Sequence, residues 1–246
     1  MLIFNGTDYS DILKITSIDR PMLAPQTVTS STIEGKAGSI FRRKTSASYE
    51  ITLSVFIRGN SRTELIQTLR QIYAQLDTDE PCPLMLKDEP DKYIMAILSG
   101  DTDIEIKNKH AIGKITFFCP DPYWYAIEDD IIQQKVQTEI SFNRKGTAIS
   151  YPFLEVQGEG KIEISVNNTK MTFEGSLKQD ETLVIDSPQL TAYIIQKDGS
   201  IISALKDLDK LDFPILYGNT TNKVKINGVE GGTVTSYKMT CNSRWK

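Results

Sequence analysis

The sequence predicts a mainly β protein built from two domains. Three observations carry that prediction. Residues 49–57 place Tyr49, Ile51, Leu53, Val55 and Ile57 at every second position, the period of a strand with one buried face. In the second half, short apolar runs alternate with turn residues about every 8–12 positions, the spacing of a β-sandwich or jelly roll. Helical periodicity is convincing only once, over residues 61–76. A length of 246 residues accommodates two domains, each large enough to bury a core.

In chain order, Leu2-Ile3-Phe4 leads into an Asn5-Gly6 turn, and Ile12, Ile15 and Ile18 follow on a polar background. Residues 34–48 are rich in Gly, Ser and basic side chains, yet hold Ile40 and Phe41 at their centre. The segment reads as a long arm or hairpin loop with an apolar tip that calls for a partner. The helix has its own signals. Ser61 is the N-cap and Glu64 stands at N3, forming a capping box, and Leu65, Leu69, Ile72 and Leu76 make one stripe. Such a stripe has to lie against a sheet. Further strands are expected at 83–86, 93–98, 104–106 and 112–118.

The last of these runs into Phe117-Phe118-Cys119-Pro120-Asp121-Pro122-Tyr123-Trp124-Tyr125. Proline lacks an N–H and fixes φ, so no ladder continues through Pro120 and Pro122. The segment reads as a rigid exit from the first domain, followed by aromatics that need a surface to cover them. Tyr123, Trp124 and Tyr125 either cap a core or form a joint between domains or subunits, since Tyr and Trp are enriched at interfaces. The expected first domain spans 1–128, with a linker or crossover at 129–149 containing a strand-like run over 131–142. Acidic Glu128-Asp129-Asp130 and the turn signal Asn143-Arg144-Lys145-Gly146 flank that run. The expected second domain spans 150–246. Its strands fall at 153–156, 162–166, 171–173, 182–186, 192–196, 224–226 and 233–240. Gln157-Gly158, Asn167-Asn168, Asp198-Gly199 and Asn227-Gly228 are read as turns.

Composition narrows the function. Net charge is −4, which removes the basic footprint of a general nucleic-acid binder. Three widely spaced cysteines make no disulfide framework and fit a reducing compartment. The N-terminus turns polar after four residues, so no signal peptide is expected, and no apolar run reaches membrane-spanning length. The triplets beginning at Asn5, Asn167 and Asn219 are therefore read as turn chemistry rather than glycosylation sites.

Catalytic, cofactor-binding and metal-binding residues are all expected to be absent. The single histidine, His110, reads as a surface-turn residue. The carboxylate groups Asp101/Asp103, Asp88/Glu89/Asp91 and Glu128/Asp129/Asp130 read as solvated turns. Neither a phosphate-cradling glycine pattern nor a nucleophile–base arrangement occurs. Arg42-Arg43-Lys44 is a solvated loop or, beside Ile40 and Phe41, an electrostatic contact to an acidic partner.

Four local features together resemble the siphophage distal tail protein (Dit) family and its relatives in phage-tail-like particles. These are Lys87-Asp88-Glu89-Pro90-Asp91-Lys92-Tyr93; the 117–125 segment; Pro152-Phe153-Leu154-Glu155-Val156-Gln157-Gly158 followed by Glu181-Thr182-Leu183-Val184-Ile185-Asp186; and Phe213-Pro214 with Leu216 and Gly218 before a final Asn242-Ser243-Arg244-Trp245. The resemblance implies an N-terminal β-sandwich with one α-helix and an extended hairpin arm. It implies a C-terminal jelly-roll β-sandwich, galectin-like or carbohydrate-module-like. It further implies a structural, non-enzymatic subunit of a homo-hexameric baseplate-hub ring at the virion tail tip. That ring would join the tail tube protein to tail-tip and adsorption proteins, after synthesis in the bacterial host cytoplasm. DNA would pass through the lumen without specific binding. In that picture Ile40, Phe41, Arg42 and Arg43 reach a neighbouring subunit. A carbohydrate-binding module making weak glycan contact is the alternative, and a tail-tip hydrolase is disfavoured for want of catalytic residues.

Overall fold

The structure, a computed structural model, describes residues 1–100, 103–134 and 139–246. The chain forms two compact units, residues 1–127 with the terminal Lys246, and residues 128–245. Both are antiparallel β structures, as the sequence predicts.

The first unit contains β1 (Leu2–Phe4), β2 (Thr7–Asp8), β3 (Leu13–Asp19), β4 (Gln26–Ser31), β5 (Ile40–Ser46), β6 (Tyr49–Arg58), α1 (Arg62–Leu76), β7 (Cys82–Leu86), β8 (Lys92–Ser99), β9 (Ile104–Lys107), β10 (His110–Cys119) and β11 (Trp124–Ala126). Strand order is β2-β1-β7-β8-β10-β6-β3, with β9 on β10 and β11 on β8. In β6 every residue predicted to face inward is buried: Tyr49, Ile51, Leu53, Val55 and Ile57. Its partner β10 follows it in unbroken register from His110↔Arg58 to Cys119↔Tyr49. The Phe4 and Phe117 rings meet at 5.1 Å inside this core.

Helix α1 buries Leu65, Leu69, Ile72 and Leu76, the predicted stripe, and contacts β10. The Ser61 hydroxyl accepts the Glu64 N–H at 3.1 Å, as a cap should. The return leg differs from the expected box. The Glu64 carboxylate takes the backbone N–H and side-chain amide of Asn60, one residue before the cap.

His110 is not in a turn. It opens β10 and its ring stacks on Phe56 at 5.7 Å. The turn lies just before it, at Asn108 and Lys109, with φ of +54° at Asn108. Asp103 lies in the described part of the chain, whereas its predicted carboxylate partner Asp101 lies outside it.

The second unit contains β12 (Asp130–Gln134), β13 (Ile140–Asn143), β14 (Phe153–Val166), β15 (Thr169–Leu177), β16 (Thr182–Asp186), β17 (Thr191–Ile195), β18 (Ile201–Ser203), a 3₁₀ turn at Leu205–Asp207, β19 (Thr221–Cys241) and β20 (Arg244–Trp245). The sheet runs β12-β19-β14-β16-β17-β18, with β13 on β19 and β15 on β14. Both described pieces of the 131–142 run hydrogen-bond to β19, so they are strands of this unit. The core gathers Leu154, Ile164, Phe173, Ile185, Ile226 and Tyr237 among others.

Two predicted turns are strand instead. β14 runs straight through Gly158, and β19 straight through Gly228. Register shifts occur at Gln157/Gly158 and Glu159/Lys161. A Cβ at Gly158 would sit 2.1 Å from the Thr233 carbonyl oxygen, and one at Gly228 only 1.9 Å from that of Gly232. Gly158 therefore lets β14 and β19 approach at the bulge, while Gly228 lets β19 double back close to its own Gly232 beside the second register shift, uses that look like turn signals in sequence. The Asn turns hold: Asn5, Asn167 and Asn219 have φ of +48°, +54° and +53°, the left-handed region that Asn tolerates.

Candidate functional site: the hairpin arm and its root

Among the described residues, strands β4 and β5 pair only with each other. Nearly every residue of this ribbon is exposed, on both faces. Register fixes which side chains share a face. Val28 lies opposite Lys44 and Phe41 opposite Ser30, while Thr29–Arg43 and Ser31–Ile40 occupy the other face. The bulge at Thr29/Ser30 leaves Arg42 as the extra residue, and its Nε donates to the Ser31 hydroxyl at 3.0 Å. Val28 is 57% exposed and Phe41 63%.

The predicted arm is therefore real, with one correction. Ile40 and Phe41 do not form the tip; they open β5, and the turn is residues 32–39. Alternation then sends the two apolar side chains to opposite faces. From Gln26 to Ser46 the ribbon carries Lys36, Arg42, Arg43 and Lys44 against Glu34, a net charge of +3 in a chain of −4. An isolated two-stranded ribbon is marginal in water, so a basic ribbon with apolar side chains on both faces is suited to lying against another surface.

The root of the arm is ordered differently from its shaft. The Gln26 amide donates to the Ala24 carbonyl and the Ser46 hydroxyl, and the Ala47 N–H donates to the Pro25 carbonyl at 2.8 Å. Just below, Trp124 is only 6% exposed. Its Nε1 donates to the Tyr49 hydroxyl at 3.1 Å, and the Arg20 guanidinium lies 4.8 Å from its ring centre. Arg20 also donates to Asp88 at 2.9 Å and Glu89 at 3.2 Å. Burial pushes the Tyr49 hydroxyl up to about 12, reinforced by the neighbouring Cys119 thiolate. Burial likewise lifts the Cys119 thiol to about 12.

Asp121, between the two prolines, shapes the aromatic run after it. Its carboxylate accepts the Tyr123 N–H at 3.1 Å and the Tyr125 hydroxyl at 2.5 Å. Tyr125 stacks on Tyr93 at 5.6 Å. The Trp124 side chain thus meets Tyr49 and Arg20. Sequence reasoning did not single out Arg20, and it named Tyr49 and Asp121 without giving either a partner. Their partners lie far off in sequence, except for Asp121, whose place in Pro-Asp-Pro before an aromatic run is an Asx-turn signal.

The second unit offers a polar cleft of about 220 Å³ lined by Gln157, Glu159, Gln179, Asp180, Glu181 and Thr235. Its most buried acid, Glu181, is committed to its own turn, accepting the Lys178 N–H at 3.0 Å. Among the described residues, no aromatic side chain lines this cleft to stack on a sugar ring. No group of three His, Cys, Asp or Glu side chains among them is placed to hold a metal ion. No helix among them is long and apolar enough to cross a membrane.

Comparison with known proteins bears on the whole architecture. Residues 4–119 match the family model of the phage tail protein RIFT-related domain. Among solved structures, the chain is similar to the Dit protein of SPP1, described as a paradigm of the hub adsorption apparatus of phages infecting Gram-positive bacteria. Identity is 13%, the TM-score is 0.80, and the match covers 100% of this chain and 98% of that one. The phage p2 baseplate in its activated conformation also matches, at 12% identity and a TM-score of 0.48, over 94% of this chain and 90% of that chain. No curated protein matches.

Proposed function

We propose that this chain, which has the fold of a siphophage distal tail protein and carries a phage tail domain in its first unit, is a structural ring subunit at the hub of a phage tail. The observation that carries the ring is the β4–β5 ribbon. Its basic shaft and the apolar groups on its two faces are made to be covered, and the rest of the chain supplies the opposite charge. With +3 on the ribbon, the remainder of a −4 chain is net −7. A head-to-tail contact between different patches of identical copies suits that asymmetry, and such contacts form rings when the rotation between copies closes.

In this reading Ile40, Phe41, Arg42 and Arg43 contact the next subunit of a hexamer. The ring joins the tail tube to tail-tip and adsorption proteins, and it works without catalysis or cofactor. The absence of a basic surplus suits a lumen that passes DNA without holding its phosphates. Assembly takes place in the host cytoplasm, and the finished subunit resides in the virion tail.

Light scattering on the purified protein tests this. The expected mass is six times 27.7 kDa. Replacing Ile40 and Phe41 together by Asp is expected to leave a folded protein that no longer assembles. An unchanged ring mass in that variant would reject the arm contact.

A further inference from the structure

Both chains of the arm enter the body beside a single side chain. The outgoing chain leaves β3 at Asp19 and passes Arg20 before the Pro21–Pro25 bend that leads into β4. The returning chain leaves β5 at Ser46 and enters β6 at Tyr49. Arg20 lies over the Trp124 ring, and Tyr49 takes the Trp124 N–H. One indole therefore touches the last body residue before the arm and the first body residue after it. Those residues stand 29 positions apart, and Trp124 is 75 positions beyond Tyr49.

We propose that Trp124, clasped by Arg20 and Tyr49, is a positioning residue that sets the direction of the β4–β5 arm before any partner binds. Each part of the clasp constrains a different freedom. The Nε1–Oη bond fixes the indole in its plane, because a buried indole N–H has one direction in which to donate. The planar guanidinium stacks on the ring while its donors are held by Asp88 and Glu89. Arginine does both at once, which lysine cannot. The indole itself is held from behind. Pro120 and Pro122 fix the backbone leading to it, and Asp121 pins Tyr123 and Tyr125 on either side. The shaft of the arm has no such support, being paired to itself among the described strands. Direction is therefore decided at the root, and a preset direction lowers the ordering cost of a later contact.

The clasp belongs to the single subunit, so it is tested in the Ile40→Asp/Phe41→Asp protein, which is expected to stay folded and unassembled. Spin labels at Ser39→Cys on the arm turn and Gln67→Cys on α1, in a Cys82→Ser background, report the arm-to-body distance in the full chain. Cys119 and Cys241 are buried. In the parent the distribution is expected to be narrow. Trp124→Phe, which keeps an aromatic ring but loses the N–H, and Arg20→Lys, which keeps the charge but loses the stacked fork, are each expected to broaden it about twofold. Leu65→Ala weakens the core away from the clasp and is expected to leave the width unchanged. Unchanged widths in the two clasp variants, or equal broadening in Leu65→Ala, would overturn the assignment. Should Trp124→Phe not fold, Tyr49→Phe removes the same hydrogen bond from the other side and decides the matter.

Discussion

The Nε1–H of Trp124 donates to the hydroxyl of Tyr49 at 3.1 Å, inside a site from which water is largely excluded. Breaking such a bond from one side leaves the other partner buried and unpaired, which costs about 1–3 kcal/mol. Tyr49→Phe and Trp124→Phe should each lower the urea midpoint accordingly. In Tyr49→Phe/Trp124→Phe both polar atoms are gone, so the double change should cost less than the sum of the singles by about 1 kcal/mol. Strict additivity in the cycle would show that the pair does not interact.

Burial also makes the fold sensitive to alkali. It favours the neutral forms of Tyr49 and Cys119, each lifted to about 12, of Cys241, lifted to about 11, and of Tyr9 and Tyr237. The sign follows from proton counting. From about pH 9, the ordinary thiol range, the unfolded chain sheds these protons while the folded chain keeps them. Stability is therefore fully present below about pH 9 and declines as pH climbs towards the folded values. Urea midpoints at about pH 8 and about pH 10.5 should differ, and Cys119→Val should shrink the difference. A native-state thiol assay should label Cys82 first, since the other two cysteines are buried.

What could be read from sequence was the part governed by local rules. The period of two in β6, the cap and stripe of α1, and the left-handed Asn turns each depend on neighbours within a few residues. The fold resemblance rested on the order of such segments. What stayed hidden depends on distant partners. Gly158 and Gly228 read as turns because the same absent Cβ serves a turn and a close backbone approach, and only the backbone brought near in the fold decides which. Arg144 stood inside an apparent turn signal, yet it is a buried cation in the second unit. Tyr123–Tyr125 left core and interface open. The indole's partners Tyr49 and Arg20 lie over 70 and 100 positions away, beyond the reach of any local pattern.

The glycine reading of the β14/β19 bulges makes a sharp distinction. At Gly228 a methyl group would meet backbone atoms of Gly232 and Thr233, none of which is a flexible side-chain end. Gly228→Ala should therefore cost about 3 kcal/mol, at the upper end of overpacking penalties. A glycine needed only to turn the chain would lose about 1 kcal/mol. Thermal melting of this variant beside Gly199→Ala, at the φ +83° position of an open hairpin turn, separates the two cases. Equal losses would contradict the close approach of Gly228 to Gly232 and Thr233 within β19.

Arg144 plays a fastening part in the second unit. Its side chain is 0% exposed. Its guanidinium donates to the Ser150 and Ser243 hydroxyls and to the carbonyls of Asn242 and Leu216. It thereby ties the loop after β13 to the segments before β19 and after it. The Asp130 carboxylate approaches Nε at 3.7 Å but is about a third exposed, so that ion pair is screened and adds little. The carbonyls and hydroxyls carry the attachment, because their burial leaves them no water to turn to. Arg144→Ala removes four hydrogen bonds together, although the Leu216 carbonyl keeps the Ser150 N–H and the Ser243 hydroxyl keeps Asp130, and should cost about 3–5 kcal/mol, whereas Asp130→Asn should cost under about 1 kcal/mol. Urea unfolding of the two variants distinguishes them. A larger loss from Asp130→Asn would mean that charge pairing, rather than the hydrogen-bonded clasp, holds these segments in place.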